Sequence, residues 1–364
     1  MRVMTQTRGV SSLQFMVISI NSMVGTTIII LPRAVAEIAK QDLWLSVLLG
    51  GVLIAVSFRI AAALAARFSD HTAIEYHCIL LGWFWGNILN VAMLALMIAV
   101  TAEIIRVFRI SVKIFLLDMT PSQIITLAML VLVLYAAQHG LVPIIRVQQF
   151  LLLFSYSTFI FLVLLGLLEV NTQQFTPMLA DGIKPVVLSA FECWTAYTGP
   201  ELVIGLLYPY FAQLESVVRF GLAGIGGVTV LFVLISGITL GILGAEETAH
   251  LLIPTIMAYR SIEIPDTFVE RIDGYLMIVW IAICFSCLLN WFYFTGFVAA
   301  RMLKLENSRP VMVLLIPVIA YLVTVPPDFY ALIVVSKWIN YGGLAWGLGI
   351  LPLLLGIAWW RERR

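Results

Sequence analysis

Long apolar stretches, interrupted at wide intervals by single charges, set the pattern of this chain. Uncharged runs separate Arg8 from Arg33, Asp42 from Arg59, Glu75 from Glu103, Asp118 from Arg146, Arg146 from Glu169, Arg219 from Glu246, Asp273 from Arg301, Arg309 from Asp328, and Lys337 from Arg361. A helix crossing hydrocarbon needs about 20 mostly apolar residues. A charge at its centre costs about 3 kcal/mol on insertion scales, so charges are expected near the ends of spans. A tenth apolar segment, Pro185 to Phe211, is interrupted by Glu192 and Glu201 and counts as span 6. The pattern predicts an all-α polytopic membrane protein with ten transmembrane helices, forming a single integral membrane domain over residues 1–364.

Composition supports this class. Hydrophobic residues make up 62% of the chain and charged residues 11%, whereas a soluble domain carries about 25% charge to wet its surface. The formal net charge of +1 gives no footprint for nucleic acid. The first apolar run continues to Leu31 and Pro32 without a small-residue cleavage site, so it reads as a retained span. With both termini on one side, that side collects twelve of the 21 lysines and arginines, which favours cytoplasmic termini. Trp44, Trp83, Trp85, Trp359 and Trp360 fall near span ends, where interfacial aromatics gather. Span 7 is rich in glycine, from Gly221 to Gly244, which suits close helix packing. In the outer loop from Ala245 to Asp266, the apolar piece Leu251 to Tyr259 reads either as a short helix lying on the protein or as a greasy solvent loop.

Two spans carry signals of interruption. Span 1 contains Asn21-Ser22-Met23-Val24-Gly25-Thr26-Thr27, a small polar cluster around a glycine. Span 6 contains Thr198-Gly199-Pro200-Glu201, where the proline lacks an N–H and opposes the preceding turn. Broken backbone at membrane depth is tolerated only where protein or a cavity supplies hydrogen-bond partners. Interruptions at matching positions of two five-helix sets point to a midplane binding site. Half-helix N-termini suit a carboxylate and half-helix C-termini an ammonium group, so a zwitterionic amino acid fits between them. The bland alternative is that Gly25 merely permits packing and Pro200 merely kinks a helix.

Other polar residues read as follows. Glu201 is a candidate functional carboxylate, or a cap for N–H groups freed after Pro200, while Glu192 lies nearer its helix end and can snorkel. In span 8, Ser286 and Asn290 form one stripe, with Cys287 and Trp291 one position round the helix. Helix-to-helix hydrogen bonding is the alternative use of these groups. Cys284 and Cys287 form a C-x-x-C inside an apolar helix, without a nearby His, and read as packing residues. His71, His77, His139 and His250 are scattered, and no Walker-type or zincin motif is present, so neither an enzyme nor a metal or cofactor site is expected.

Several of these stretches resemble known proteins. Met23-Val24-Gly25-Thr26-Thr27-Ile28-Ile29-Ile30-Leu31-Pro32-Arg33 is similar to the first broken helix of the amino acid, polyamine and organocation permeases. More narrowly, Gln41-Asp42-Leu43-Trp44, Phe115-Leu116-Leu117-Asp118-Met119-Thr120-Pro121, and Val269-Glu270-Arg271-Ile272-Asp273 followed by Val279-Trp280 resemble the GerAB-like B subunits of nutrient germinant receptors of endospores. The resemblance implies a LeuT-like 5+5 inverted repeat with broken helices 1 and 6, repeat one covering about residues 10–168 and repeat two about 185–360. It further implies a pocket bounded by spans 1, 3, 6 and 8, and a complex with A-type and C-type receptor subunits in the spore inner membrane. The ligand-binding candidates are Val24, Gly25, Thr26, Thr198, Gly199, Pro200, Glu201, Ser286, Cys287, Asn290 and Trp291. The expected function is sensing of a nutrient, an amino acid, by this subunit. A proton- or ion-coupled amino acid transporter and an ion or water conduit within the complex are the alternatives.

Overall fold

The computed structural model describes residues 9–212, 214–262, 272–326 and 329–362. Among these residues the regular structure is helical, apart from an isolated parallel bridge between Val10 and Phe211. Six stretches are long and apolar enough to cross a membrane: Thr27–Arg67, Ala73–Phe115, Leu141–Leu167, Ser216–Leu243, Gly274–Met302 and Ala331–Arg361. Length and composition alone therefore do not return ten spans, because the other apolar helices are short or interrupted.

The chain opens with α1 (Ser12–Met23), α2 (Thr27–Ala39) and α3 (Leu43–Arg67). Lys40, at φ 49°, turns the backbone between α2 and α3, so the apolar stretch Thr27–Arg67 is two helices. In α4 (Ala73–Phe115) a second fold occurs at Gly82, where φ is 81°. Chain reversal there brings His77 Nδ1 within 2.7 Å of Asn90 Oδ1, and Asn90 Nδ2 donates to the Ile74 carbonyl at 3.0 Å. Next come α5 (Ser122–Ala137) and α6 (Leu141–Leu167). The latter presents an exposed apolar face, with Phe150 and Leu153 more than 70% exposed, which hydrocarbon tolerates and water does not.

Charges do not mark helix ends as the pattern predicts. α3 continues past Arg59, α4 runs on beyond Glu103 through Arg109 and Lys113, and the turn between α5 and α6 precedes Arg146. The reason is that some charges face protein. Glu103 is hydrogen-bonded to Ser336, and the Arg106 guanidinium donates to the Pro326 carbonyl. Such partners remove much of the insertion penalty that a lipid-facing charge would carry.

The second half contains α7 (Ile183–Glu192), α8 (Trp194–Tyr197), α9 (Pro200–Leu207) and α10 (Leu214–Leu243). α10 packs on α1 and α3 through small residues: a Cβ on Gly221 would lie 2.3 Å from Phe58. Helices α11 (Ala245–His250) and α12 (Pro254–Arg260) settle the outer loop in favour of a helix on the protein, with Ile256 and Tyr259 buried against α2, α10 and α13. Residues 263–266 of that loop lie outside the described residues, as do Val269-Glu270-Arg271, the Asp328 boundary, and the terminal Arg2, Arg8, Arg363 and Arg364. The chain closes with α13 (Ile272–Met302), α14 (Arg309–Thr324), α15 (Phe329–Leu344), a π-helical turn over Ala345–Ile350, and α16 (Leu351–Glu362).

The Gln41-Asp42 pair has a structural task. The Leu179 N–H donates to both Asp42 carboxylate oxygens at 3.0 and 3.1 Å, and Gln41 Nε2 donates to the Pro177 carbonyl at 2.9 Å. Lys40 adds an ion pair to Asp181 at 2.8 Å. The connection between α6 and α7 is thereby tied to the turn between α2 and α3. Because Asp42 is buried, Asp42→Ala leaves the Leu179 N–H unpaired and should cost roughly 1–3 kcal/mol. Thermal denaturation of the purified variant should show a lowered Tm, whereas Lys40→Ala, at an exposed pair, should leave it nearly unchanged.

Candidate functional site

The first interruption frees carbonyls. α1 ends at Met23, Val24 is extended at φ −85° and ψ 105°, and α2 starts at Thr27. The Val24 N–H still completes the last α1 turn by donating to Ile20 at 2.9 Å. Beyond it the Ser22 carbonyl loses its helical partner and accepts instead from Trp291 Nε1 at 3.1 Å and from the Cys287 thiol at 3.5 Å. The Met23 carbonyl accepts from Thr27 Oγ1 at 3.2 Å. Asn290 Nδ2 reaches the Ile18 carbonyl at 3.0 Å and Ser22 Oγ at 3.2 Å.

The second interruption frees N–H groups. Thr198 is extended, and Gly199 takes φ 138°, a conformation that a side chain would strain. Pro200 then occupies the first turn of α9, where its missing N–H is harmless. Glu201 folds back over this break: Oε1 accepts from Thr198 Oγ1 at 2.6 Å and Oε2 from the Gly199 N–H at 3.0 Å. The carboxylate does cap the break, but on the Gly199 N–H before Pro200 rather than on N–H groups after it, at the helix end where negative charge is favoured.

The two interruptions touch. A Cβ on Gly199 would lie 2.7 Å from the Ser22 Cβ, and one on Gly25 would lie 2.6 Å from Cys287 Sγ. Val24, Thr26, Thr198, Glu201, Ser286, Cys287, Asn290 and Trp291 are all buried. Cys287, Asn290 and Trp291 converge on the end of α1, while Glu201 serves the other break. Ser286 Oγ is buried without a partner, although the Ser286 carbonyl accepts from Gln148 Nε2 at 3.1 Å.

Sequence reasoning places Ser22 in the polar cluster of span 1 but not among the ligand-binding candidates, and it misses Gln148, Thr195 and Asn340. Gln148 on α6 donates to Asn290 Oδ1 at 2.8 Å and so braces the α13 stripe. It sits two residues after Arg146, which the charge pattern takes as a boundary. Asn340 on α15 accepts from the Thr195 N–H at 2.9 Å and hydroxyl at 2.7 Å, and donates to the Phe191 carbonyl at 3.0 Å. An isolated Asn within an apolar span was the available signal.

Cavities fall differently from the expected pocket between spans 1, 3, 6 and 8. A narrow crevice at Thr198, too tight to hold a water molecule, is walled by Leu96 and Val100 of α4, Trp194 and Thr195 of α8, and Ile339 and Gly343 of α15. Here α15 takes the place expected for α1 and α13, because Asn290 and Trp291 fill the seam between those two helices. Beyond the crevice, on the side away from the termini, a cavity of about 250 Å³ lies between α2, α4, α7, α15 and the connection from α11 to α12, with Arg33, Glu37, Glu192 and Lys337 in its wall.

Comparison with known proteins adds lineage to this geometry. The family described as "Spore germination protein" matches residues 9–329. Spore germination protein YndE of Bacillus subtilis (strain 168) is 30% identical over 363 residues, covering 98% of each chain. Spore germination protein A2 of the same organism is 26% identical, covering 92% of this chain and 91% of that one. Among solved structures, the nucleobase-cation-symport-1 family transporter Mhp1, in a closed conformation with bromovinylhydantoin bound, superposes with a TM-score of 0.66 at 12% identity, covering 95% of this chain and 77% of that chain. A Na+-coupled sialic acid symporter in a substrate-bound outward-open state gives a TM-score of 0.62 at 11% identity, with coverage of 95% and 77%. These two structures share the fold. With its apolar helices, its two interruptions and this lineage, the chain is an integral multi-pass membrane protein that belongs to the spore germination protein family.

Proposed function

We propose that this chain is the B-type, ligand-sensing subunit of a nutrient germinant receptor, binding a small amino acid where the two interrupted helices meet. The carrying observation is that opposed helix ends, one presenting the Ser22 carbonyl and the other the Gly199 N–H, are brought into contact through Gly199 and Ser22. An ammonium group suits the first and a carboxylate the second. In this reading the chain makes ten crossings: α1 with α2, α3, α4, α5, α6, α7 to α9, α10, α13, α14, and α15 with α16. They form two inverted sets of five, about 10–168 and 185–360, with termini in the cytoplasm and the chain in the spore inner membrane beside A-type and C-type subunits. Binding by Val24, Gly25, Thr26, Thr198, Gly199, Pro200, Cys287 and Trp291, with Ser286 and Asn290 behind them, belongs to this proposal.

The likeness to two symporters keeps a second reading in view, an amino acid transporter coupled to protons through Glu201. The bonding of Glu201 favours the receptor, because both oxygens are engaged in holding the break closed. Uptake separates the two: proteoliposomes under a proton gradient should bind labelled amino acid saturably without accumulating it. Glu201→Gln keeps one carbonyl oxygen for the Gly199 N–H, and the Thr198 hydroxyl can turn to accept from the new amide. Spores carrying it should still respond to nutrient, whereas Glu201→Leu leaves the Gly199 N–H unpaired, at a cost of roughly 1–3 kcal/mol, and should lose response. A Glu201→Gln variant that fails while assembling normally would favour the proton-coupled reading.

Gly25 offers a steric test. Gly25→Ala places a Cβ against Cys287 and should abolish the germination response of spores with normal amounts of the protein in the membrane. Cys287→Gly removes both clashing atoms, at a helix cost of about 1 kcal/mol, and should restore part of that response in the double variant. A normal response of Gly25→Ala spores would sink the assignment of this position.

A further inference from the structure

The charged cavity above the Thr198 crevice has no part in the binding geometry described so far. It carries two cations, Arg33 and Lys337, and two carboxylates, Glu37 and Glu192, over an otherwise apolar wall that includes Ile30 and Ile333. Balanced charges beside apolar surface are the chemistry that recognises a free amino acid by both of its ends and its side chain at once. A volume of about 250 Å³ is room enough for a single amino acid. The Arg33 to Glu37 contact is long, 3.4 Å, and partly exposed, so exchanging it for a ligand carboxylate is cheap.

Position adds a second argument. Glu192 ends α7 and Lys337 lies on α15, each three residues before a member of the Thr195–Asn340 hydrogen-bond pair. That pair ties α15 to the start of α8 and borders the crevice that reaches Thr198. A molecule held between Glu192 and Lys337 therefore bears on the same two elements that the Thr195–Asn340 pair ties together beside the second break.

We propose that this cavity is an outer docking site for a zwitterionic amino acid, with Glu192 and Glu37 facing its ammonium, Lys337 and Arg33 its carboxylate, and the Thr195–Asn340 pair as the latch beneath it. It rests on the reading that the protein binds an amino acid, and adds a second site to the one at the breaks.

The test is protection from modification. Ile333→Cys, or Ala34→Cys should the first fail to fold, places a thiol in the cavity wall of the purified full chain. Its reaction with a methanethiosulfonate reagent is timed with each of the twenty amino acids at millimolar concentration, and with the N-acetyl and amide derivatives that remove one charge. At least one amino acid should slow labelling several-fold, neither of its derivatives should, and the protection should vanish in Glu192→Gln/Lys337→Gln. It should persist when Gly25→Ala is added, which separates this site from the breaks. Labelling unaffected by every amino acid, protection given equally by the derivatives, or protection abolished by Gly25→Ala would each overturn the proposal. Persistent protection beside Gly25→Ala spores that germinate normally would instead leave the outer site standing and remove the inner one.

Discussion

Everything in this molecule answers to the requirement that a backbone polar group away from water must find a partner. Two helices stop in mid-course, and the polarity of the helix makes their needs opposite. At Met23 the chain runs out of N–H groups for its last carbonyls, so it recruits donors: the Trp291 indole, the Cys287 thiol and the Thr27 hydroxyl. At Pro200 it has surplus N–H, so it recruits an acceptor, the Glu201 carboxylate. One break is served across the bundle by α13 and the other from within its own helix. The first thus couples two elements, whereas the second is locally self-contained.

This asymmetry bears on how a ligand acts. Ser22 and Gly199 are already bonded by protein groups, so a ligand gains only the difference between its own bonds and those it replaces. An ammonium at the Ser22 carbonyl competes with an indole and a thiol, both neutral donors, and has the advantage of charge. Replacing them at the proposed site would remove two of the ties between α1 and α13 and leave those of Asn290, which is braced by Gln148 of α6. A ligand shifts a conformational balance only by its differential affinity for the two arrangements. The donors on α13 are where such a difference arises.

Legibility in the sequence followed the range of the interaction. Both interruptions could be read locally, since Gly199-Pro200 imposes its own backbone and the polar cluster around Gly25 is out of place in an apolar run. The all-helical class followed from apolarity alone. Helix ends are less legible because a charge marks a boundary only where it faces lipid. Arg106 and Glu103 find partners on segments more than 200 residues away, which no local pattern encodes. The same holds for Gln148, whose role depends on facing Asn290 across α6 and α13, and for Asn340, which matters only because α15 lies against Thr195. Asp42 was noticed for its motif, but its work on the Leu179 N–H required the distant loop to be seen in place.

Fold and lineage then divide the functional question between them. A fold shared with symporters supplies a scaffold of opposed broken helices, and a scaffold does not fix what is done with it. Free exchange of ligand across a membrane asks both breaks to open and reseal with little cost in either direction. Here Gly25 lies hard against Cys287, Gly199 against Ser22, and the Glu201 carboxylate spans its own break with both oxygens used. Each contact must be undone before a solute passes, and none is replaced by solvent in hydrocarbon. Such packing penalises passage, and on that ground the sensing role proposed above fits the two breaks better than free exchange does.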